Sequence, residues 1–426
     1  MARRVRRRLK IKNIVIAVCL LLIVLGSLGY YLYSKSNAEK IKAINLAKVK
    51  GKYNEFVITN KVADIYIKDG DIYKKAGSIG EKVELPLTNQ KIDNETKYFQ
   101  IADFDTKSYI SYDDIDKIDK LSTYSDRYKK YIPFNQNIVT NDKTSFYDED
   151  DNLIYSFDET FDLPIIIKDT NRYGVEFNER LLYVKKDDVK ETKDHHNTDL
   201  SNTSHIGALN YHFFWDDDTE PASKCDQIIC HSKSQFKSHL ELFKEMNLMT
   251  LTMKEAEMYI DGKVRLPKSV LITIDDGWRI ELGIKMLNEY KMNATVFLVT
   301  GDYDPKDYQE GNDYVEFHSH SHKMHDGGQC PGGQGGGIKC LPRETILADL
   351  KASREKLNGS TVFCYPFYEY NEYSISLLKE AGFTMAFAGE SSYLDNHIKV
   401  GSNKYTLPRF VIVTYTSMYD LKTFLN

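Results

Sequence analysis

Four histidines, His318, His320, His322 and His325, stand close together in the segment VEFHSHSHKMHDGG, residues 315–328. Imidazole is the commonest protein metal ligand, so the cluster reads as a metal site. Such a site takes two or three ligands, not four. Spacing alone leaves the choice open, because His318 and His320 share a face of extended chain. Upstream, LITIDDGWR places Asp275 and Asp276 at the end of an apolar run. Burying adjacent carboxylates costs several kcal/mol unless they bind something. A helix cap before WRIELGIKML accounts for one of them; a cation accounts for the second. Downstream, VFCYPFYEYN sets Pro366 in a turn after an apolar run, and such a turn can aim backbone N–H groups into a pocket, as an oxyanion site requires.

The elements that must position these groups are legible from residue 206 onward. IGALNYHFF is a strand candidate. SKSQFKSHLELFKEM has a capping box at Ser232 and Gln235 and sets Phe236, Leu240 and Phe243 on one helical face. TMKEAEMYI has another capping box at Thr252 and Glu255. Then strand-like SVLITI, ATVFLV, TVFCY and TMAFA alternate with helix-like ELGIKMLNEY, RETILADLKASREKL and NEYSISLLKEAG. Regular alternation predicts βα units around a parallel sheet, open or closed as a barrel. Chemistry in such folds collects beyond the C-terminal strand ends, where the Asp-Asp pair and the Tyr365-Pro366 turn fall.

The order TIDDG, clustered histidines, then Tyr-Pro after a strand resembles the polysaccharide deacetylase family, the NodB-homology carbohydrate esterases, over residues 206–426. Ile274 stands where the family usually has Phe. ALNYHFF, the Cys225–Cys230 stretch, TLTMKEAEMYI and the closing YTLPRFVIVTYTSMYDLKTFL look most like the branch of intercellular-adhesin and poly-N-acetylglucosamine deacetylases. The resemblance implies an α/β fold, a distorted (β/α) barrel, and metal-dependent N-deacetylation of N-acetylglucosamine in a cell-surface glycan, either peptidoglycan or an exopolysaccharide. It implies Asp275 as base and Asp276 as metal ligand. Glu316 and Ser319 point to His320 as the second ligand, and the branch spacing to His325 as the third; His318 with His322 is the rival pair. Two histidines and a carboxylate suit zinc, with cobalt, nickel and manganese also fitting. An N–H near Phe367 would serve the oxyanion, and Tyr365 and Pro366 would bind substrate.

Three departures stand out. The family's late acid histidine is missing from RFVIVTYTSMYD, Cys364 replaces the Arg before the aromatic-proline turn, and Tyr368 replaces a Gly. Arg409 is then expected to supply the missing charge beside Asp275, and His212 a proton. The alternative is a non-catalytic wall-glycan-binding protein with a degenerate deacetylase domain.

The rest of the 426 residues form a different texture. Basic residues crowd positions 1–13, and an uncharged apolar run from Ile14 to Tyr33 follows. Its length suits one bilayer-spanning helix of about 20 residues with the basic flank in the cytoplasm. No small-x-small site follows, which disfavours a cleaved signal peptide. Beyond a stalk at 39–56, VITN, DIYKK and SYISYDDI are echoed by IVTN, LIYSF and LYVKKDDV. This predicts two small β units, at 57–120 and 135–190, resembling the SH3-like repeats of bacterial wall proteins, which bind wall polymer or act as a spacer. Residues 191–205 read as a linker. Cys225 with Cys230, and Cys330 with Cys340, are expected as disulfides outside the cytoplasm; zinc binding by these cysteines is the rival, though their spacing is not that of a zinc ribbon. The glycine-rich stretch 327–337 lacks a P-loop ending and reads as a surface loop tied by Cys330 and Cys340. A net charge of −5 without a basic patch gives no reason to expect nucleic acid as a partner.

Overall fold

The computed structural model describes residues 21, 24–29, 31–35, 56–93, 98–101, 107–194, 203–389 and 396–426. Half of the apolar run 14–33, and all of the stalk except residue 56, lie outside them. Positions 24–29 and 31–35 are helical, but no helix among the described residues is long and apolar enough to cross a membrane. The chain divides into two compact units. One comprises 1–124, 139–161 and 176–190; the other comprises 125–138, 162–175 and 191–426. The stretch 135–190 is therefore shared between them.

The first unit is antiparallel β structure, as its short alternating apolar runs predict. Its core includes Val57, Ile65, Leu85, Ile110, Phe146 and Tyr155, all buried. Two of the echoed segments share a local strand-turn-strand form. Strand Ser108–Ser111 leads through a 3-10 turn at Tyr112–Asp114 into strand Ile115–Ile118. Strand Arg180–Lys185 leads through a turn at Lys186–Asp188 into strand Val189–Asp194. In the first copy Asn60 N–H donates to the Asp114 carbonyl at 3.0 Å; in the second Asn141 N–H donates to the Asp188 carbonyl at 2.8 Å.

The second unit holds an eight-stranded sheet whose pairings are all parallel. Its strands are β1 (Gly207–Tyr211), β2 (Met249–Thr250), β3 (Ser269–Asp276), β4 (Ala294–Leu298), β5 (Val315–Ser319), β6 (Val362–Cys364), β7 (Met385–Phe387) and β8 (Phe410–Val411). They run in the order β7-β6-β5-β4-β3-β1-β8, with β2 on β3. One C-terminal segment meets both edges of this path. Leu407 bridges in parallel to Phe387, and Phe410 pairs with Leu209. The curved sheet is thereby closed by a short, irregular stretch, and Arg409 sits in the closure.

Helices α1 (Lys233–Glu245), α2 (Met253–Ile260), α3 (Glu281–Tyr290), α4 (Arg343–Lys356), α5 (Glu372–Glu380) and α6 (Met418–Phe424) connect or follow the strands. Ser232 caps α1 by accepting from Gln235 N–H, and Thr252 with Glu255 forms the expected reciprocal box on α2. Phe236, Leu240 and Phe243 on α1 are fully buried, each contributing about 1.5–3 kcal/mol of apolar burial. Both expected disulfides are present, Cys225–Cys230 and Cys330–Cys340.

Candidate active site

Strand β3 is apolar and buried along its length until it reaches Asp275 and Asp276. Its register pairs Asp275 with Phe297 and Asp276 with Leu298, while β5 sets His318 against Phe297 and Ser319 against Leu298. The carboxylates and histidines thus arrive at one rim because three parallel strands end in step. Beyond that rim the backbone turns sharply. Asp276 (φ 77°), Ser321 (φ 71°), Phe367 (φ 57°) and Tyr368 (φ 63°) are all left-handed without being glycine. Each such residue costs on the order of 1–3 kcal/mol, and such costs collect where surrounding structure fixes a working geometry.

Asp276, His320 and His325 converge so that one ligand atom from each lies within 4.8 Å of the others. An Asp276 oxygen is 3.4 Å from His320 Nε2 and 3.1 Å from His325 Nε2. His320 Nδ1 sits 2.9 Å from the Cys364 carbonyl. A carbonyl only accepts, so Nδ1 carries a hydrogen and Nε2 is turned toward Asp276, where a protonated ring donates to the carboxylate and a neutral ring would offer its lone pair to a cation. Burial pushes the Asp276 carboxyl up, but hydrogen bonds from His320 and His325 outweigh it and hold the group well below the usual carboxylate range. Burial pushes His325 down, and Asp276 more than restores it, leaving it raised. Two imidazoles and an ionised carboxylate clustered in this way are a donor set that, with the rings neutral, fits a divalent cation of the zinc class.

The other two histidines of the cluster turn elsewhere. His318 Nδ1 is 2.7 Å from Ser360 Oγ, with Nε2 3.7 Å from Glu316. His322 Nδ1 is 3.1 Å from Thr300 Oγ1.

Asp275 is 1% exposed and Arg409 is fully buried. Their contact is bidentate, 2.7 and 2.8 Å. The remaining Arg409 donors reach Thr273 Oγ1 at 3.0 Å, the Ala388 carbonyl at 3.0 Å and Cys364 Sγ at 2.9 Å. Phe297 and Tyr368 rings cover the guanidinium at 5.4 and 5.6 Å. Burial raises the Asp275 carboxyl, yet the Arg409 charge prevails and keeps it lowered. Asp275 Oδ2 also accepts from Asn210 Nδ2 at 3.1 Å and from the Cys364 thiol at 3.5 Å. A second group of possible ligands, Asp275 with His320 and Cys364, shares this region. Its carboxylate is already neutralised by Arg409, and burial pushes the Cys364 thiol well above its ordinary value, so it is the poorer cation site.

One expectation is met with a refinement, and another needs correction. Arg409 does stand beside Asp275, but its five N–H donors are all spent inside the protein, so it positions Asp275 and does not touch substrate. Tyr365 is fully buried and its hydroxyl donates to the Tyr405 carbonyl at 3.1 Å; with Pro366 also buried, neither side chain is free to bind substrate. The turn's contribution is main-chain. Its internal hydrogen bonds use the N–H groups of Tyr368 and Glu369, leaving Phe367 N–H outside that pair, and the Phe367 ring lies 4.8 Å from that of His325.

Sequence reasoning missed Asn210, which donates to Asp275 and to Tyr368 Oη at 3.0 Å. Its signal was an amide in the middle of an apolar strand. His212 Nε2 lies 3.4 Å from Tyr368 Oη, and His212 Nδ1 is buried with no partner among the described residues.

The polysaccharide deacetylase family profile matches residues 262–386, spanning β3 to β7. This part of the chain is a polysaccharide deacetylase domain. The members of this family are hydrolases. Among solved structures, a de-N-acetylase from Aggregatibacter actinomycetemcomitans is 20% identical, covering 52% of this chain and 99% of its own, with a TM-score of 0.43. IcaB from Ammonifex degensii is 19% identical over 53% of this chain and 98% of its own, TM-score 0.42. A polysaccharide deacetylase from Bacillus cereus is 14% identical over 80% of this chain and 99% of its own, TM-score 0.43. Comparison with curated protein sequences returns no match.

Proposed function

We propose that the protein hydrolyses the N-acetyl group of N-acetylglucosamine residues in a cell-surface glycan, using a divalent cation for which zinc is the first candidate. The observation that carries this reading is the pairing, at the end of one strand of a deacetylase domain, of a three-ligand cluster with a separately clamped carboxylate. Asp276, His320 and His325 would hold the cation, which when bound supplies Lewis acidity, polarising an amide carbonyl and making water acidic near neutral pH.

The chain's own groups do the rest. Asp275, kept ionised by Arg409, accepts the proton of the attacking water. Phe367 N–H faces the oxygen that gains charge as the carbonyl carbon becomes tetrahedral. The C–N bond then breaks, and the leaving amine takes a proton from His212, whose Nε2 lies 3.4 Å from Tyr368 Oη. Products are acetate and a glucosamine amine.

The run Ile14–Tyr33 with its basic flank supports a single-pass anchor with an N-terminus in the cytoplasm and the catalytic unit outside the cell. The two disulfides fit that compartment. The echoed segments at 57–120 and 135–190 are read as SH3-like wall modules. Acetate release from chitooligosaccharides, poly-N-acetylglucosamine and purified wall, with and without chelator, tests the reading. Chelator-sensitive release supports it and names the polymer; no release from any of them by protein shown to hold metal rejects it.

A further inference from the structure

The glycine-rich stretch 327–337 has no role in the chemistry above, yet it is folded around one side chain. The Glu369 carboxylate accepts from Gln334 N–H at 2.6 Å and Gly336 N–H at 2.8 Å, and pairs with Lys339 Nζ at 2.7 Å. Lys339 also donates to the Gly332 carbonyl at 3.0 Å, and its own carbonyl accepts from Asn371. Across the loop, Gly328 N–H donates to the Gln334 carbonyl and Gln329 N–H to the Gly335 carbonyl. Cys330–Cys340 closes the loop. Successive N–H groups converging on a carboxylate form an anion-binding nest.

The glycines are required by that closeness. A Cβ on Gly333, whose φ is +59°, would stand 1.7 Å from Glu369 Oε1. A Cβ on Gly336 would stand 3.2 Å from Glu369 Oε2 and 3.5 Å from Phe367 Cδ2. The loop therefore packs tightly on Glu369 and lies alongside Phe367. Glu369 directly follows the two left-handed residues Phe367 and Tyr368. Left-handed non-glycine backbone persists only where its surroundings hold it. On one side Tyr368 Oη is held by Asn210; on the other, the nest holds Glu369.

We propose that Glu369 is a positioning residue, and that the disulfide-closed glycine loop is its clamp, fixing the turn that carries the Phe367 N–H and sets the Phe367 ring against His325. The inference rests on the reading of Phe367 as the oxyanion donor. Glu369→Ala removes both acceptors, Glu369→Gln retains one, and Gly333→Ala drives the carboxylate out while leaving it in the chain. Two readouts are taken on the full chain: hydrogen exchange of peptides covering 365–371 and 269–278, and kinetics of acetate release with metal content measured. Expected are faster exchange in 365–371 alone, unchanged metal content, and kcat reduced by about 10²-fold with KM unchanged, as for displacement of a donor used only in the transition state. The order should be wild type, Glu369→Gln, Glu369→Ala. Unchanged exchange in 365–371 for both Glu369→Ala and Gly333→Ala overturns the clamp. Faster exchange with unchanged kcat, or kcat lost in step with metal, overturns the positioning role. A wild-type protein that releases no acetate contradicts the proposed function instead and leaves the exchange result to judge the clamp.

Discussion

Asp275 and Asp276 are consecutive, yet their surroundings are opposite in kind. Asp275 is buried inside the sheet, in contact with Arg409, Asn210 and the Cys364 thiol. Asp276 faces the rim, partly exposed, with His320 and His325 as partners. A strand alternates its faces, so two adjacent acids must part; here the change to left-handed backbone at Asp276 completes the separation. The pair reads as two sites with different electrostatics: one guards a negative charge with a fixed cation, and the other offers a negative charge to a cation from solution.

The comparison can be broken from either side. The largest effect is expected on the rim: Asp276→Ala or His320→Ala should lose bound metal and at least about 10³-fold in acetate release, since the cation supplies several kcal/mol of charge stabilisation. Metal analysis alongside rates checks this, and full metal retention would merge the two sites into one. Asp275→Asn should lower turnover by about 10²–10⁴-fold while metal content stays at the wild-type level. Arg409→Met should cost about 3–5 kcal/mol of stability by leaving Asp275 buried and uncompensated, read by denaturant unfolding; stability unchanged would mean that Asp275 is not held as a charge. Tyr368→Phe removes one hydrogen bond to Asn210 and should cost about 1 kcal/mol, with a small loss of rate. Smallest of all, His318→Ala should leave metal content unchanged, because its imidazole serves Ser360 and Glu316.

The strands and helices of the second unit were legible because their apolar periods and caps agree with their tertiary places. Thr252-Glu255 forms its box, and SVLITI is buried from end to end. The metal-ligand candidates were legible from spacing only with the family resemblance; alternation alone could not separate His320 from His318. What parts them is contact with β6 and its neighbourhood, the Cys364 carbonyl for one and Ser360 for the other. Asn210 and the Arg409 closure were harder to see, because they depend on chain ends far apart in sequence meeting across a sheet. Tyr365 misled because its aromatic-proline context marks the turn but not the direction of its own ring, which the core claims. The glycine-rich loop was read as surface linkage since nothing local in it names Glu369 as its guest.

Crystallographic anomalous scattering from metal-loaded protein tests the central claim most directly. The account predicts one peak about 2.0–2.2 Å from an Asp276 oxygen and from Nε2 of both His320 and His325. A peak among Asp275, His320 and Cys364, or none within reach of these histidines, would contradict it.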